Sequence, residues 1–383
     1  MTVFVNGRFL CQKLSGVQRF AGEILSALDL QLSRDTGLAN AVGPIVVVHP
    51  DGLLRRPDWR VIPLQKVGRT NGHIWEQGAL YHVSKNEPLI SLGNAGPVRH
   101  KKQMIVLHDA NIWDIPDAFS SRYKLLHKTM RPILAARAKE LVTVSRFSAD
   151  ALAKHLNVSI DRFSIIPNGS DHILDVGTDT TVLDRNNLRN DSYLLCVGNL
   201  SPNKNIERLI QAHALAGAGV LPLVVVGGAA SGVAVEEFKS NSKITMLGRV
   251  NDDALRSLYE NAAGFVFPSL YEGFGIPPLE AMQLGTPVLA SNSTAMPEIL
   301  NQAAMFFNPR SVDEMTALLL RFSRLSTSEK KILVARGHKV SAQFTWEKSA
   351  GLLAEQILAL KAKGSSDEQG IRTTGLGRLR KVS

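Results

Sequence analysis

Glu272 and Glu280 lie eight residues apart in YEGFGIPPLEAMQLGTPVLAS (271–291), separated by a Gly-Phe-Gly turn and a Pro-Pro pair. Carboxylates on one helix face need a spacing of three or four, so these two are not a helical pair. They can instead share a ligand. Glu272 is expected in a loop after the apolar run GFVFPS, where the amides of Gly273, Phe274 and Gly275 can donate to hydroxyls or oxyanions. Pro277-Pro278 is expected to set the first turn of a helix and to carry Glu280 in that turn, beside the positive end of the dipole. One carboxylate then stands at each end of a row of donors, which suits sugar hydroxyls at one end and a ribose at the other.

A second stretch, VGNLSPNKN (197–205), follows a strand and opens a helix. Gly198 lets backbone approach a ligand, Ser201 and Pro202 shape the turn, and Lys204 adds a point charge for phosphate. Arg146, in VSRFS, opens another helix and is a further phosphate candidate. The alternative for both is an ordinary capped helix start with a solvated cation. The chain has no GxGxxG after a strand, no GxxxxGK[ST] and no Asp-x-Asp. A nicotinamide or flavin enzyme and a simple metal-diphosphate clamp are therefore disfavoured.

These residues need elements to hold them. TVFVNG, GPIVVVH, PLISLG, QMIVLHD, ELVTVS and FSIIPNG read as short buried strands, interleaved with helical patterns such as GVQRFAGEILSAL and RFSADALAKHL. After a polar linker at 170–192 the alternation restarts with YLLCVG, PLVVVGG, ITMLG, GFVFPS and PVLAS. The fold class is α/β, with two similar Rossmann-like domains whose strands point their carboxyl ends at a central cleft. The expected divisions are 1–175, 186–345, a C-terminal helix at 346–363 that crosses back to the first domain, and a mobile basic tail at 364–383.

Composition narrows the class. Of 383 residues, 44% are hydrophobic and 20% charged, a soluble balance with enough chain for two cores. Cys11 and Cys196 make no CxxC, which fits a reducing compartment. No signal-peptide pattern opens the sequence and no apolar run is long enough to span a bilayer, so a cytoplasmic protein is expected. Residues 1–185 hold 23 basic and 17 acidic side chains, so the N-terminal half attracts anions. Nucleic acid is disfavoured as that anion, because aromatic residues are only 6% and do not interleave with the basic ones.

Taken together, YEGFGIPPLEAMQLGTPVLAS, VGNLSPNKN, VSRFSADAL, IIPNGSD and FTWEKSA resemble the retaining glycosyltransferases of group 1 (family 4), of GT-B fold. The resemblance runs to about residue 362. It implies that Glu272 contacts the donor sugar's hydroxyls, Glu280 the ribose and Lys204 the donor diphosphate. Where many members carry arginine after the loop glycine, this chain has Asn199, and Arg249 in LGRV is the expected substitute. The family also places a glycine loop near phosphate and acceptor, matching KLSGVQR with Gly16 and Arg19, and a histidine at a strand end, matching His108 with Asp109 beside it. His108 is expected to hydrogen-bond the sugar or the leaving oxygen. The family's mechanism is commonly described without a protein nucleophile: the acceptor hydroxyl attacks on the leaving-group face and the departing diphosphate takes its proton.

VNGRFL, SGVQRFAGEIL, HIWEQ and LISLGNAGPV look like a subgroup of bacterial mannosyltransferases of O-antigen and exopolysaccharide assembly. This implies GDP-mannose as donor, a glycan or lipid-linked glycan as acceptor, no metal and no other cofactor. The stretch SRYKLLHKTMRPILAARAK (121–139), basic with apolar residues between, is expected to allow peripheral contact with anionic lipid at the cytosolic face of the inner membrane. A nucleotide-sugar epimerase of the same fold is the alternative activity.

Overall fold

The computed structural model describes residues 1–228 and 243–376, with side chains described as far as residue 363. The first domain holds seven strands: β1 (Val3–Asn6), β2 (Ile45–His49), β3 (Leu64–Lys66), β4 (Leu89–Ser91), β5 (Gln103–Val106), β6 (Glu140–Thr143) and β7 (Phe163–Ile165). They pair in the order β3-β2-β1-β4-β5-β6-β7, and every pairing is parallel. The second domain holds β8 (Leu194–Val197), β9 (Leu223–Val226), β10 (Ile244–Gly248), β11 (Gly264–Phe267), β12 (Val288–Ser291) and β13 (Ala304–Phe307). Their order is β10-β9-β8-β11-β12-β13, again parallel. Parallel strands covered by helices on both faces need apolar side chains on both faces, which is why β9 reads Leu-Val-Val-Val and is buried throughout.

Each sheet reverses its strand order once, between β1 and β4 in the first domain and between β8 and β11 in the second. The loops leaving two such neighbouring strands diverge to opposite faces and open a crevice at their carboxyl ends. The two crevices are where the site-forming loops meet.

The C-terminal helix joins the domains. It starts at Trp346 and packs along the helix Gly16–Arg34, with Phe20, Leu28, Trp346, Leu353 and Ile357 in one apolar cluster that also reaches Phe267 and Leu279. Lys361 Nζ donates to the carbonyls of Ala41 (3.0 Å) and Val42 (2.8 Å), and Gln31 Nε2 donates to Glu347 O at 2.7 Å. Burying an indole such as Trp346 stabilises by roughly 4–6 kcal/mol as an upper estimate. The helix does not stop near 363 but runs to Leu376. Its glycines there each cost about 1 kcal/mol without removing a backbone donor, and no proline intervenes. The rest of the expected tail, 377–383, lies outside the described residues.

The stretch taken as a polar linker also carries structure. Short helical turns at Asp171–Leu174 and Thr181–Arg185 bury His172, Ile173, Val182 and Leu183. Six apolar or aromatic side chains in the 12 residues 172–183 show no period, so the pattern alone read as loop.

Candidate active site

In the second domain three strand ends are lined by glycine. A Cβ on Gly227, whose φ is 149°, would run into the carbonyl of Gly198, and one on Gly228 would sit 3.1 Å from Arg249 Nε. The floor at the ends of β8 and β9 is thus bare backbone, with the exposed Arg249 reaching across it from the end of β10. Asn199 is exposed, and its Oδ1 accepts from Ser201 Oγ at 2.6 Å. A short turn at Pro202–Lys204 then leads through Asn205, in the left-handed region, into the helix Ile206–Ala216.

Lys204 and Glu272 meet across the second crevice, Nζ to Oε1 at 2.5 Å, with the ammonium also over the Phe267 ring at 5.4 Å. Both side chains are only partly buried, so the pair is open to exchange one partner for a ligand group. The loop is fixed around them. Glu272 N donates to Thr294 Oγ1 (3.1 Å), and Gly273 O accepts from Ser145 Oγ (2.6 Å) and Ser148 Oγ (3.1 Å) of the first domain. Among the described residues no protein acceptor takes the amides of Gly273, Phe274 or Gly275, three buried residues of the loop. A Cβ on Gly273 would lie 2.6 Å from His108 O and 2.9 Å from Asp109 Cβ. Only glycine permits this approach of the two domains.

Glu280 departs from its expected place. The helix begins at Ile276 behind Gly275 at φ 93°, so Pro277 and Pro278 occupy its first turn and Glu280 falls in the second. The dipole therefore does not account for it, since that effect fades beyond the first turn. Protein donors hold it instead. His172 Nε2 donates to Oε1 at 2.9 Å and Tyr259 OH to Oε2 at 3.0 Å. Burial pushes this carboxyl up, but the hydrogen bond from the His172 ring, the charge of Arg19 and the Tyr259 bond outweigh it, and Glu280 stays below the usual carboxylate range. It is an ionised acceptor, 5% exposed, with a protein donor on each oxygen.

From the first domain, His108 and Asp109 sit at the end of β5, on the rim facing Gly273. His108 N donates to Asn94 Oδ1 at 2.8 Å and its Nε2 lies 2.8 Å from Leu92 O. A carbonyl only accepts, so the ring proton is on Nε2 and Nδ1 carries a lone pair. Burial, opposed by the bond to Leu92 and aided by nearby Arg131, brings the imidazole down to about 4. His108 is neutral near pH 7 and can accept from a sugar hydroxyl. With its one proton committed to Leu92, it has none to give a leaving oxygen, and that half of its expected role falls away.

Burial raises Asp109, while Arg131 pulls it down and Glu272 and Lys204 are near enough to act on it. Arg19 reaches across the cleft to Asp252, with Nη2 3.0 Å from both carboxylate oxygens. Burial acts to lower its guanidinium, but the charges of Glu280 and Asp252 raise it on balance. Gly16 opens its helix with no atom within 4 Å of a built Cβ, leaving that turn accessible. The structure thus brings Lys204, Glu272, His108 and Asp109 into one group, with Arg19 beside Glu280. Arg146 is not among them: its side chain is exposed and 3.6 Å from Asp150 on its own helix. Its backbone amide and that of Phe147 donate instead to Glu298 of the second domain, at 2.8 and 2.9 Å.

Sequence reading missed Arg131 and His172. Arg131 is 1% exposed, with Nη1 donating to Asp109 O at 3.0 Å and its guanidinium over Trp113. It was counted in the basic lipid-facing face of 121–139; the apolar positions Met130, Leu134 and Ala135 around it were the available signal.

Comparison with known proteins gives the family. Residues 181–337 match the family described as Glycosyl transferases group 1. The O-antigen chain mannosyltransferase B of Escherichia coli is 34% identical over 263 residues, covering 66% of this chain and 68% of that protein. The O-antigen chain mannosyltransferase RfbU of Salmonella typhimurium is 30% identical over 216 residues, covering 55% and 57%. Among solved structures, the sucrose-phosphate synthase of Thermosynechococcus elongatus superposes with a TM-score of 0.71 at 17% identity over 94% of this chain and 99% of that one, a likeness of fold. The two parallel-sheet domains are those of the GT-B fold, and the chain belongs to the group 1 glycosyl transferases.

Proposed function

We propose that this protein transfers mannose from GDP-mannose, with retention and without a metal, to a growing lipid-linked or surface polysaccharide. The observation that carries this reading is the Lys204–Glu272 pair at the second crevice, with Glu280 held ionised in the second turn of the helix that follows. A nucleotide sugar laid across them places its sugar hydroxyls on Glu272, its diphosphate on Lys204 and the amides that lack a protein acceptor, and its ribose on Glu280. Arg249, over the glycine floor, supplies a second cation in the neighbourhood of Asn199. As the bond to the leaving diphosphate breaks, charge accumulates on oxygens already facing fixed donors, which lowers the barrier with no reorganisation. The acceptor hydroxyl attacks on the same face and its proton passes to the departing diphosphate, so no protein nucleophile is needed. The mannose assignment draws on the names of the two mannosyltransferase relatives.

The acceptor reading places the protein at the cytosolic face of the inner membrane. Among the described residues no helix is long and apolar enough to cross a membrane. Tyr123, Leu125 and Leu126 are exposed on the helix Ser121–Arg137, among Arg122, Lys124 and Lys128, and offer an apolar and basic surface to anionic lipid.

The test is a thermal-shift panel of GDP, UDP, ADP and their common sugars on the wild type and Glu280→Ala. Ligand at a hundredfold its dissociation constant stabilises by ~2.7 kcal/mol. A shift with GDP-mannose that the variant loses supports the reading, and a larger shift with another nucleotide sugar removes the mannose assignment. Salt-independent or absent sedimentation with anionic vesicles removes the membrane contact.

A further inference from the structure

The second crevice holds a cation and a carboxylate, Lys204 and Glu272; the first crevice holds another such pair. Arg8 follows β1, and its Nε lies 3.2 Å from Glu76 Oε1. Glu76 belongs to HIWEQ, a motif given no role in the donor site, and is 1% exposed. It begins a π-helical turn, Glu76–Leu80, within an otherwise α-helical stretch from Gly72 to Ser84. Such turns carry an extra residue at a cost in helix geometry and are frequent at functional sites.

Glu76 holds Arg8 and Asn6 and is itself held by His73. Asn6 Nδ2 donates to Oε1 at 2.8 Å, Asn6 Oδ1 accepts from Arg8 N at 3.2 Å, and His73 Nδ1 lies 2.8 Å from Oε2. Arg8 is thereby oriented through its backbone and its Nε, while among the described residues its two terminal nitrogens have no protein partner. Arg8 borders a recess of about 10 Å³ shared with Asn6, Gln12, Glu76 and Gly93. That is room for a single oxygen-sized group. The recess lies in the line of the cleft. Gly93 is flanked by Leu92 and Asn94, the two residues that fix His108, and a Cβ on it would touch Val17 in the first turn after Gly16.

We propose that Arg8 is an acceptor-binding residue that takes a hydroxyl of the acceptor's terminal sugar, and that Glu76 is the positioning residue that aims it. The chemistry points to a neutral glycan end. The charge of Arg8 is already answered by Glu76, so the recess offers N–H donors without net charge, where a phosphate would leave its own charge unbalanced. The proposal rests on the transferase reading above, in which the second crevice is occupied by the donor.

The experiment titrates octyl α-mannoside, octyl α-glucoside and octyl N-acetyl-α-glucosaminide against full-length protein and reads nucleotide release from the sugar nucleotide that gives the largest thermal shift. For at least one of these glycosides the half-saturating concentration is expected to rise tenfold or more in Arg8→Met and severalfold in Glu76→Gln. The donor-induced thermal shift is retained in both. Arg8→Lys stays impaired, because an ammonium keeps the charge but not the fork. If Glu76→Gln does not fold, the Arg8 variants decide alone. Unchanged glycoside half-saturation in Arg8→Met overturns the proposal, as does loss of the donor-induced shift, which would put Arg8 on the donor. A wild type that responds to none of the three glycosides, yet shifts with its donor, overturns the neutral-glycan class and leaves the donor reading standing. A wild type that shifts with no sugar nucleotide overturns the donor reading, and this inference falls with it.

Discussion

His172 and Glu280, 108 residues apart, are joined by a buried hydrogen bond of 2.9 Å from Nε2 to Oε1. The other ring nitrogen accepts from Trp346 Nε1 at 3.0 Å. An indole N–H is donor-only, so Nδ1 is bare and the proton is on Nε2. The first residue of the C-terminal helix thus sets the tautomer of the ring that holds the Glu280 carboxylate. Trp346→Phe keeps the ring packing and removes the donor, leaving a buried nitrogen unsatisfied at a cost of about 1–3 kcal/mol. Donor half-saturation is expected to rise several-fold with little change in kcat. Urea unfolding and donor titration check both; a stability loss with unaltered donor titration would make the contact purely structural.

Lys204 is the cation expected against the leaving diphosphate. Its pair with Glu272 is part-exposed, so Lys204→Ala is expected to cost no more than about 1 kcal/mol of stability. Its loss is felt where charge develops, and removing a donor there lowers turnover by about 10²–10³-fold. Steady-state kinetics beside a melting curve separates the two effects. Near-normal kcat in a folded Lys204→Ala protein would remove the leaving-group role.

Gly273 tests the apposition of the domains. In Gly273→Ala the new methyl would meet His108 O at 2.6 Å, and backbone cannot yield as a flexible side chain does. The Ser145 and Ser148 hydroxyls then lose their shared acceptor geometry. Each domain keeps its own sheet, so the variant is expected to fold but to sit open. Small-angle scattering should show a larger radius of gyration, with turnover down at least tenfold. A variant as compact and as active as the wild type would mean that this contact is not required.

Legibility followed periodicity and spacing. Short apolar runs between helical patterns specified eleven of the thirteen strands, because a parallel strand inside a sheet is buried on both faces and reads as a continuous run. The edge strands β3 and β13 are only partly buried and gave no such run, so they were not read. Glu272, Lys204, Gly198 and His108 were legible because each lies next to such a run, at the carboxyl end where ligands bind. Glu280 was found as a residue but misplaced by a turn, since which residue begins a helix after Gly-Ile-Pro-Pro depends on the αL backbone of Gly275. His172 was illegible for a different reason: its role rests on a contact across 108 residues, and no local pattern encodes a partner at that separation. For Arg131 the apolar neighbours signalled burial but not the Asp109 carbonyl, 22 residues away, that it meets.

His108 gives stability a defined pH dependence. In the unfolded chain its imidazole titrates near 6.5, whereas in the fold burial holds it down to about 4. Between these values the unfolded state binds a proton that the folded state refuses, so stability rises with pH across the window and is lost as pH falls from 6.5 towards 4. At pH 4.5 the loss attributable to this one group is ~2–3 kcal/mol. Removing the imidazole removes the term. His108→Gln is expected to be less stable at pH 7.5, where it forfeits the bond to Leu92, but to lose ~2–3 kcal/mol less than the wild type on going to pH 4.5. Other titrating groups act on both proteins and cancel in the difference. Urea unfolding of the pair at the two pH values measures it, and parallel pH curves would show that His108 is protonated as readily in the fold as out of it.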